Sequence, residues 1–430
     1  MLTLLPMVVL VVAFLLGIPI AFSMAGAGIL GIWLLRGDWD IVMSMLGGTF
    51  FSSVAQHILT TIPMFILMAY FSSSSGLASD LYTALSNLLS RVRGGLAVAT
   101  VFACMIFGAM SGASVAAASV MSEIAMPNMR RFGYSEVLAS GVIGVGSTLD
   151  SLIPPSVGMV IYGIMTGASI GKLLIAGIVP GIVLSILLVL AIFVWVKIRP
   201  SDAPQTQRLS WTERWRSLRR IWPSILLILL VLVLLYTGIA TPTEVGALGA
   251  FLSAVIGFTM GRLTLAGAVE ALKQTLRTTA MIFMILIGAT LLGYYITQSQ
   301  VPQKVIMTVT EMSLNRWVVV AGIIVGYFVV SMFMDEIPLM IITLQLAFPL
   351  VVSLGFDPIW FGVITILMVA MGLVFPPVGL IAFIVSATTK VDVVTVYKGT
   401  SILTIAIAVT TVLIMVFPDL ALWLPSMMRG

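Results

Sequence analysis

Two stretches of the chain are interrupted in the same way: residues 146–163 read GSTLDSLIPPSVGMVIYG, and residues 370–383 read AMGLVFPPVGLIAF. Each is part of an apolar run that would otherwise be long enough to cross a membrane, and each contains an adjacent pair of prolines. The pairs at 154–155 and 376–377 lie 222 residues apart, and the same shift places Gly133 on Gly355. The chain therefore contains two copies of one repeat, and each copy is predicted to hold a broken helix.

Composition restricts the class of protein. Of the 430 residues, 60% are hydrophobic and only 9% are charged, which leaves too few charges to cover a soluble surface. A membrane-spanning helix needs ~20 apolar residues, and the sequence offers roughly a dozen such windows. Long apolar runs are not typical of a membrane β-barrel, whose segments are short and alternating. We expect an all-α integral membrane protein.

Two further stretches predict re-entrant hairpins, which enter the membrane and return to the same face. The first runs from 94 to 128 with Ser111-Gly112-Ala113-Ser114 at its middle, and the second from 317 to 353 with Met334-Asp335-Glu336 at its middle. Each half of the first is short, at ~24 Å against a hydrocarbon core of ~30 Å. Two ordinary short helices are the alternative.

The positive charges predict the orientation of the repeats. The segment 197–220 is rich in Arg and is placed in the cytoplasm, where positive loops are retained. It is interpreted as an amphipathic interfacial linker and not as a nucleic-acid site. Arg91 and Arg131 flank the first hairpin, so its base is predicted to be cytoplasmic. Three helices lie between the linker and the second hairpin, which places that hairpin on the outer side. Such inverted repeats with broken helices indicate a secondary transporter.

The broken helices are the predicted ion sites. A Pro-Pro pair removes two backbone donors and frees carbonyls one turn back, and Na⁺ is coordinated by such oxygens. Each hairpin tip is expected to meet the break of its own repeat, although simple proline kinks are the alternative. The first predicted Na⁺ site comprises Ser111, Ser114, Gly146, Thr148, Ile153 and Pro154. The second comprises Met332, Asp335, Gly372, Phe375 and Pro376.

Substrate is expected between these two sites. The predicted contacts are Ser111, Gly112, Ser114, Ser156, Asp335, Glu336 and Gly379. Carboxylates within membrane segments are functional candidates. Asp335 and Glu336 are therefore the strongest pair, with Asp150 just before the first Pro-Pro. Na⁺ coordination, proton coupling and structural pairing all remain open for Asp335. For Glu123 and Glu244, a packing or capping role is an equal alternative.

Nothing in the sequence predicts an enzyme or an ATP-driven pump. His57 is the single histidine, so it cannot anchor a multi-histidine metal site, and Cys104, the single cysteine, is read as a small buried hydrophobe. The segment 167–173, GASIGKL, has one residue too few between its glycines for a phosphate loop, and Leu173 stands where Ser or Thr is needed.

The chain resembles a known family, the large membrane (M, or DctM-like) subunit of tripartite ATP-independent periplasmic transporters. The matching stretches are FGAMSGASVAA (107–117), GYSEVLASGVIGVGSTLDSLIPPSVGMVIYG (133–163), IGKLLIAGIVPG (170–181), PTEVGALGA (242–250) and GFDPIWFGVITILMVAMGLVFPPVG (355–379). The family pattern usually has Thr where this chain has Phe375, so a threonine hydroxyl ligand is in doubt there.

The resemblance implies a Na⁺-coupled, ATP-independent importer of an organic acid, of the sialic acid or C4-dicarboxylate type, with sialic acid favoured. It implies two partners, a small four-helix membrane subunit and a periplasmic substrate-binding protein. The implied location is the bacterial inner membrane, with the N-terminus in the cytoplasm and the C-terminus in the periplasm. A proton-coupled carrier and a channel are the alternatives.

The resemblance also implies a fold similar to elevator-type transporters of the ion-transporter kind, in which a transport domain slides against a fixed scaffold. The expected scaffold parts are 1–78, 170–196, 223–263 and 400–430. The transport domain comprises 94–169 for the first repeat and 278–399 for the second. The arm helices are 79–93 and 264–277, and the basic linker is 197–222.

Overall fold

The structure, a computed structural model, describes residues 5–205, 211–312 and 314–428. In chain order the helices in these ranges are α1 (Leu5–Leu15), α2 (Ile20–Arg36), α3 (Trp39–Ser52), α4 (Thr61–Ser74), α5 (Leu77–Leu88), α6 (Gly95–Ser111), α7 (Ser114–Arg131), α8 (Glu136–Ser147), α9 (Val157–Thr166), α10 (Ile170–Ala176), α11 (Ile178–Ile198), α12 (Trp211–Leu218), α13 (Trp222–Thr237), α14 (Pro242–Thr259), α15 (Leu265–Gln298), α16 (Val301–Glu311), α17 (Arg316–Ser331), α18 (Glu336–Ser353), α19 (Pro358–Gly372), α20 (Leu380–Thr389), α21 (Val393–Val416) and α22 (Asp419–Ser426).

The predicted all-helical membrane class is confirmed. Within the described ranges, seven helical stretches are long and apolar enough to cross a bilayer. Many large apolar side chains on these helices face outward, as in α13, where Leu226, Leu229 and Val233 are exposed. Outward apolar faces are what a helix presents to lipid, because the hydrocarbon core solvates them without cost.

Both Pro-Pro pairs interrupt helices. In the first repeat α8 ends at Ser147, a single 3₁₀ turn follows, and α9 begins at Val157 after the prolines. In the second repeat α19 ends at Gly372 and α20 begins at Leu380. The helix pairs α6–α7 and α17–α18 lie at the positions predicted for the hairpins.

One group of helices is built on close contacts at small residues. α2 packs along α15, and α4 packs along α14 and α15. At the α2–α15 crossing, a Cβ on Gly28 would lie 2.5 Å from the Leu291 carbonyl carbon, and one on Gly31 would collide with the Tyr295 ring. Small residues let membrane helices approach this closely, because lipid gives no hydrophobic force between them.

The second group contains both hairpins and both broken helices, and three further helices pack on it. α10 packs on α9 and α19, α11 packs on α6 and α21, and α21 packs along α8. The segments 170–196 and 400–430, expected in the scaffold, therefore pack with the hairpin group. The α8–α21 crossing is backbone against backbone, since a Cβ on Gly141 would lie 2.6 Å from the Gly399 carbonyl carbon.

Two helices have boundaries set by a cap and by the absence of proline. Helix α3 begins after Asp38, because Asp38 accepts a hydrogen bond from the Asp40 amide (2.8 Å) and caps it. The segments 264–277 and 278–297, read as an arm and a span, form one continuous 34-residue helix, α15. No proline separates the two segments, so no residue type forces the chain to stop there.

Further boundaries differ from the segments named above. The C-terminal segment was placed at 400–430, but its first helix, α21, begins earlier, with Asp392 as its N-cap, and ends at Val416 before Pro418. The span 170–196 is divided at Gly177, whose backbone lies against the Leu152 carbonyl. Helix α16 was not predicted. In the basic linker, α12 is the amphipathic part, and residues 206–210 lie outside the described residues.

The α8–α21 crossing gives a stability prediction. Gly399→Ala places a methyl group in collision with the Val137 carbonyl and within 2.8 Å of the Gly141 Cα. We expect it to destabilise the protein by about 1–3 kcal/mol, the usual cost of overpacking. The measurement is the thermal midpoint followed by tryptophan fluorescence in detergent micelles.

The matched control is Gly326→Ala in α17, where a Cβ meets nothing within 4 Å. Equal midpoints for the two variants would contradict the close crossing.

Candidate functional site

The tip of the first hairpin is shaped by a glycine. α6 ends at Ser111, and Gly112 follows with φ +62°, a left-handed conformation that side chains other than glycine rarely adopt. A Cβ on Gly112 would also lie 2.6 Å from the Pro155 carbonyl oxygen. The tip can therefore rest directly on the first Pro-Pro pair.

The tip satisfies the backbone of the broken helix. The first N–H groups of a helix have no carbonyl within the helix to bind. In α9, the Val157 amide donates to the Gly112 carbonyl of the hairpin (3.2 Å), and the Met159 amide donates to the Ser156 hydroxyl (3.3 Å). Ser156, predicted as a substrate contact, is therefore the N-cap of α9.

The second repeat makes the same connection. The Gly379 amide donates to the Met332 carbonyl at the second hairpin tip (2.9 Å). Gly379 is the position that the 222-residue shift places on Val157, so the donor is equivalent in the two repeats. Both Pro-Pro peptide bonds, Pro154-Pro155 and Pro376-Pro377, are cis. Each tip thus meets its own break through the backbone, as predicted.

Carbonyls after the second break already have a donor. The Tyr397 hydroxyl lies 3.0 Å from the Pro377 carbonyl oxygen and 2.6 Å from that of Val378. Each of those oxygens therefore has one hydrogen-bond donor nearby within the protein.

The hydroxyl groups of the first predicted site lie beside a carboxylate. Ser114 donates to Asp150 Oδ1 (2.5 Å), and its oxygen is 2.8 Å from the Ser151 oxygen. Asp150 packs against the hairpin at Gly108, where a Cβ would lie 2.6 Å from the Asp150 Cβ. Asp150 was considered a candidate functional carboxylate but was not included in the predicted Na⁺ site, and Ser151 was missed.

The other members of that predicted site lie further back along the helix. Thr148 is buried and donates to the Val145 carbonyl of its own helix (2.7 Å). Gly146 faces Cys104, since a Cβ there would lie 3.2 Å from its sulfur. Ile153 packs on Gly181 of α11, and its amide donates to the Leu149 carbonyl (3.1 Å).

Asp335 and Glu336 are neighbours in sequence but serve different sites. Asp335 caps α18 by accepting from the Glu336 amide (2.8 Å). The Glu336 side chain reaches the first repeat, where its Oε2 accepts from the Ser151 hydroxyl (3.2 Å). This contact between the repeats adds to the expected contact of each tip with its own break. The 222-residue shift relates equivalent positions of the two copies and does not indicate which residues touch across them.

The second predicted site is mainly apolar. The Phe375 ring packs on Phe328 with centroids 5.3 Å apart, in the place where a hydroxyl was in doubt. Gly372 lies against Ser331, whose hydroxyl is near the Phe328 carbonyl (2.9 Å) and the Met368 carbonyl (3.3 Å). The backbone oxygen of Met332 is the acceptor for Gly379, so the second site offers fewer free oxygens.

Three buried oxygens at the first site have no hydrogen-bond partner among the described residues. They are Ser111 Oγ, Asp150 Oδ2 and Glu336 Oε1. A buried polar atom without a partner costs about 1–3 kcal/mol, so three together mark a place prepared for a ligand. Within the described residues no cluster of three His, Cys, Asp or Glu side chains suits a transition metal. The mixture of hydroxyl, carboxylate and carbonyl oxygens suits a hard cation.

The remaining candidates have structural roles. Glu244 forms a capping box with Thr241 at the start of α14, which confirms the capping alternative. Glu123 is exposed, His57 starts an exposed 3₁₀ turn, and Cys104 is a buried free thiol. In GASIGKL, Ser169 caps α10.

Comparison with solved structures shows the fold. The chain superposes on the YdaH transporter of Alcanivorax borkumensis with a TM-score of 0.66 and 14% identity, over 90% of this chain and 89% of that one. It superposes on MtrF of Neisseria gonorrhoeae, from a class described as antimetabolite efflux pumps, with a TM-score of 0.55 over 89% and 85%.

Comparison of sequences shows the family. The chain is 32% identical over 377 residues to the C4-dicarboxylate TRAP transporter large permease protein DctM of Pseudomonas aeruginosa, covering 87% of this chain and 88% of that protein. It is 28% identical to the sialic acid large permease SiaM of Vibrio cholerae, covering 96% of each. It is 30% identical to the ectoine large permease TeaC of Halomonas elongata, covering 95% and 96%.

The profile of the family described as "Tripartite ATP-independent periplasmic transporter, DctM component" matches residues 7–420. Together with the membrane helices of the fold, this match shows a transport protein and not an enzyme. The chain belongs to the DctM component family of the tripartite ATP-independent periplasmic transporters.

Proposed function

We propose that this chain is the membrane subunit through which an organic acid enters the cell by Na⁺ symport. The observation that carries the proposal is the matched pair of hairpin–break contacts, Val157 to Gly112 and Gly379 to Met332. Two broken helices that each meet a hairpin tip can provide two related ion sites within the membrane, and a channel has no need of them.

The oxygens at the first break support Na⁺ as the coupling ion. Ser114 Oγ donates to Asp150, and the buried Ser111 Oγ at the same hairpin tip has no partner among the described residues. A monovalent cation at this place gains a carboxylate and several neutral oxygens, which offset the loss of its water. Symport driven by the ion gradient needs no ATP.

The names of the relatives support the substrate class. They include permeases for C4-dicarboxylates, sialic acid and ectoine, all of which carry a carboxylate. We propose that the substrate is an organic acid. The N-termini of α9 and α20 point backbone amides toward the breaks, and such amides favour an anion.

The packing supports an elevator movement between the two helix groups. The proposed moving body holds both hairpins and both broken helices together with α10, α11 and α21, which pack on them. The proposed fixed body is the group α2, α4, α14 and α15. This division replaces the one expected from resemblance, because α11 and α21 contact the broken helices directly.

The family description supports the partners, since the DctM component is one of three parts. We propose a small four-helix membrane subunit, a periplasmic substrate-binding protein and a location in the bacterial inner membrane. In that orientation the N-terminus is cytoplasmic, the basic segment around α12 is cytoplasmic and the C-terminus is periplasmic.

The first prediction concerns the driving force. In proteoliposomes holding this chain with its small membrane subunit, and with loaded binding protein outside, an inward Na⁺ gradient should drive substrate accumulation. An equal K⁺ gradient should not, because the freed oxygens select by size and hydration. The measurement is uptake of radiolabelled substrate. Accumulation driven by a pH gradient in Na⁺-free buffer would replace Na⁺ with a proton, and unsaturable flux without binding protein would indicate a channel.

The second prediction concerns one ligand. Ser111→Ala removes a buried hydroxyl that has no partner in the protein, so folding should be preserved while Na⁺ is held less tightly. We expect the Na⁺ concentration for half-maximal uptake to rise by about tenfold, since a hydrogen bond or ligand to a charge contributes ~1.5–3 kcal/mol.

The matched control is Ser140→Ala in α8, a buried serine whose hydroxyl donates to the Glu136 carbonyl of its own helix (2.6 Å). Equal Na⁺ dependence in wild type and Ser111→Ala would remove this hydroxyl from the ion site.

A further inference from the structure

Two acidic side chains from opposite repeats meet in the interior. Asp150 belongs to the first repeat and is fully buried, while Glu336 comes from the second hairpin and is 8% exposed. Ser151 joins them, since its hydroxyl lies 3.2 Å from Glu336 Oε2 and 3.4 Å from Asp150 Oδ1. The half-buried Asp335 lies next to Glu336 along the chain. No Lys or Arg side chain is hydrogen-bonded or ion-paired to either carboxylate in the described structure.

Charge balance at this place requires either a bound cation or a proton on one of the carboxylates. Removing one carboxylate from water already costs several kcal/mol, and a second at hydrogen-bond distance through one serine adds repulsion. The serine hydroxyls offer only the partial positive charge of their hydrogens, which does not neutralise two carboxylates. Asp150 Oδ2 and Glu336 Oε1 are both without a hydrogen bond among the described residues.

A third unpartnered atom points to the same place independently of the acids. Ser111 is 2% exposed, and its hydroxyl has no partner. It lies one turn after Gly108 on the same face of α6, and Gly108 is the residue against which Asp150 packs.

Glycine at 158 allows Glu336 to approach. Gly158 is in the first turn of α9, and a Cβ there would collide with Glu336 Oε1 and come within 2.7 Å of its carboxyl carbon. The unpartnered oxygen of Glu336 is thus held against the positive end of a helix, close to the first break.

We propose that one Na⁺ ion binds between Asp150 and Glu336, with the hydroxyls of Ser111, Ser114 and Ser151 as further oxygens. This inference rests on the proposed Na⁺ coupling and adds to it a ligand from the other repeat. The ion at the first break then holds the second hairpin tip as well. The site is complete only when both repeats are in place, so its occupancy reports the closure of both tips.

The experiment uses the full chain purified with its small membrane subunit in nanodiscs, with no substrate. The thermal midpoint is titrated with NaCl at constant ionic strength made up with KCl. Wild type should show a saturable Na⁺-dependent rise, since an ion that binds only the folded state stabilises it. Glu336→Gln and Ser151→Ala should each raise the half-saturating Na⁺ concentration by about tenfold. The control is Glu270→Gln, an exposed carboxylate in α15 that should match wild type.

A second variant tests position without removing any ligand atom. Gly158→Ala displaces the Glu336 carboxylate and should weaken Na⁺ binding as Glu336→Gln does, whereas Gly171→Ala in α10, where a Cβ lies 3.9 Å from the nearest atom, should not. In a Glu336→Ala background, Gly158→Ala should have no further effect on the Na⁺ titration, because the two changes act through one contact.

Two results would overturn the inference. The first is a Na⁺ titration in Glu336→Gln and Gly158→Ala that is unchanged from wild type. The second is a stabilisation at low pH that does not depend on Na⁺ and is lost in Glu336→Gln, which would show that a proton occupies the site. The outcomes for the two proposals are separable. If wild-type uptake follows Na⁺ while these variants titrate like wild type, only the shared site fails. If wild-type uptake ignores Na⁺, the proposed symport fails.

Discussion

The structure depends on how the backbone is satisfied where a helix stops inside a membrane. Exposed amides and carbonyls are tolerated at that depth only when protein or a water-filled cavity binds them. Here the hairpin tips do so, through the Val157 and Gly379 amides. Each tip therefore supplies an acceptor that its break lacks, and the first broken helix is held against α21 by a close approach of Gly141 and Gly399.

The same constraint is met differently in the two repeats. In the first, serine hydroxyls and a carboxylate gather beside the break. In the second, Phe375 packs on Phe328, and Tyr397 occupies the carbonyls of Pro377 and Val378. The two repeats therefore have one polar site and one largely apolar site. The polar site, in the first repeat, includes the Glu336 side chain from the second repeat.

The broken helices, the hairpin tips and the helix caps could be predicted from the sequence, because each is marked by residues close together in the chain. Proline pairs stop helices wherever they occur, a glycine between two short apolar runs marks a tip, and Asp or Thr before an apolar run caps a helix. What was missed is set by tertiary contacts. The continuity of α15 across residue 277 and the membership of α11 and α21 in the hairpin group have no local signal. The reach of Glu336 into the other repeat is of the same kind, since no pattern relates it to Ser151.

The number of hydroxyl hydrogens limits the hydrogen bonds that Ser151 and its neighbours can make. A hydroxyl carries one hydrogen, so Ser114 and Ser151 together have two to share among four close contacts. When the Ser114 hydroxyl donates to Asp150, the Ser151 hydroxyl can donate to Glu336 only if its hydrogen points away from both Ser114 and Asp150. The Ser151 hydrogen can therefore be donated to Glu336 or to Asp150, but not to both at once. Ser151 can donate to Glu336, and so connect the second hairpin to the first repeat, while Ser114 supplies the hydrogen for Asp150.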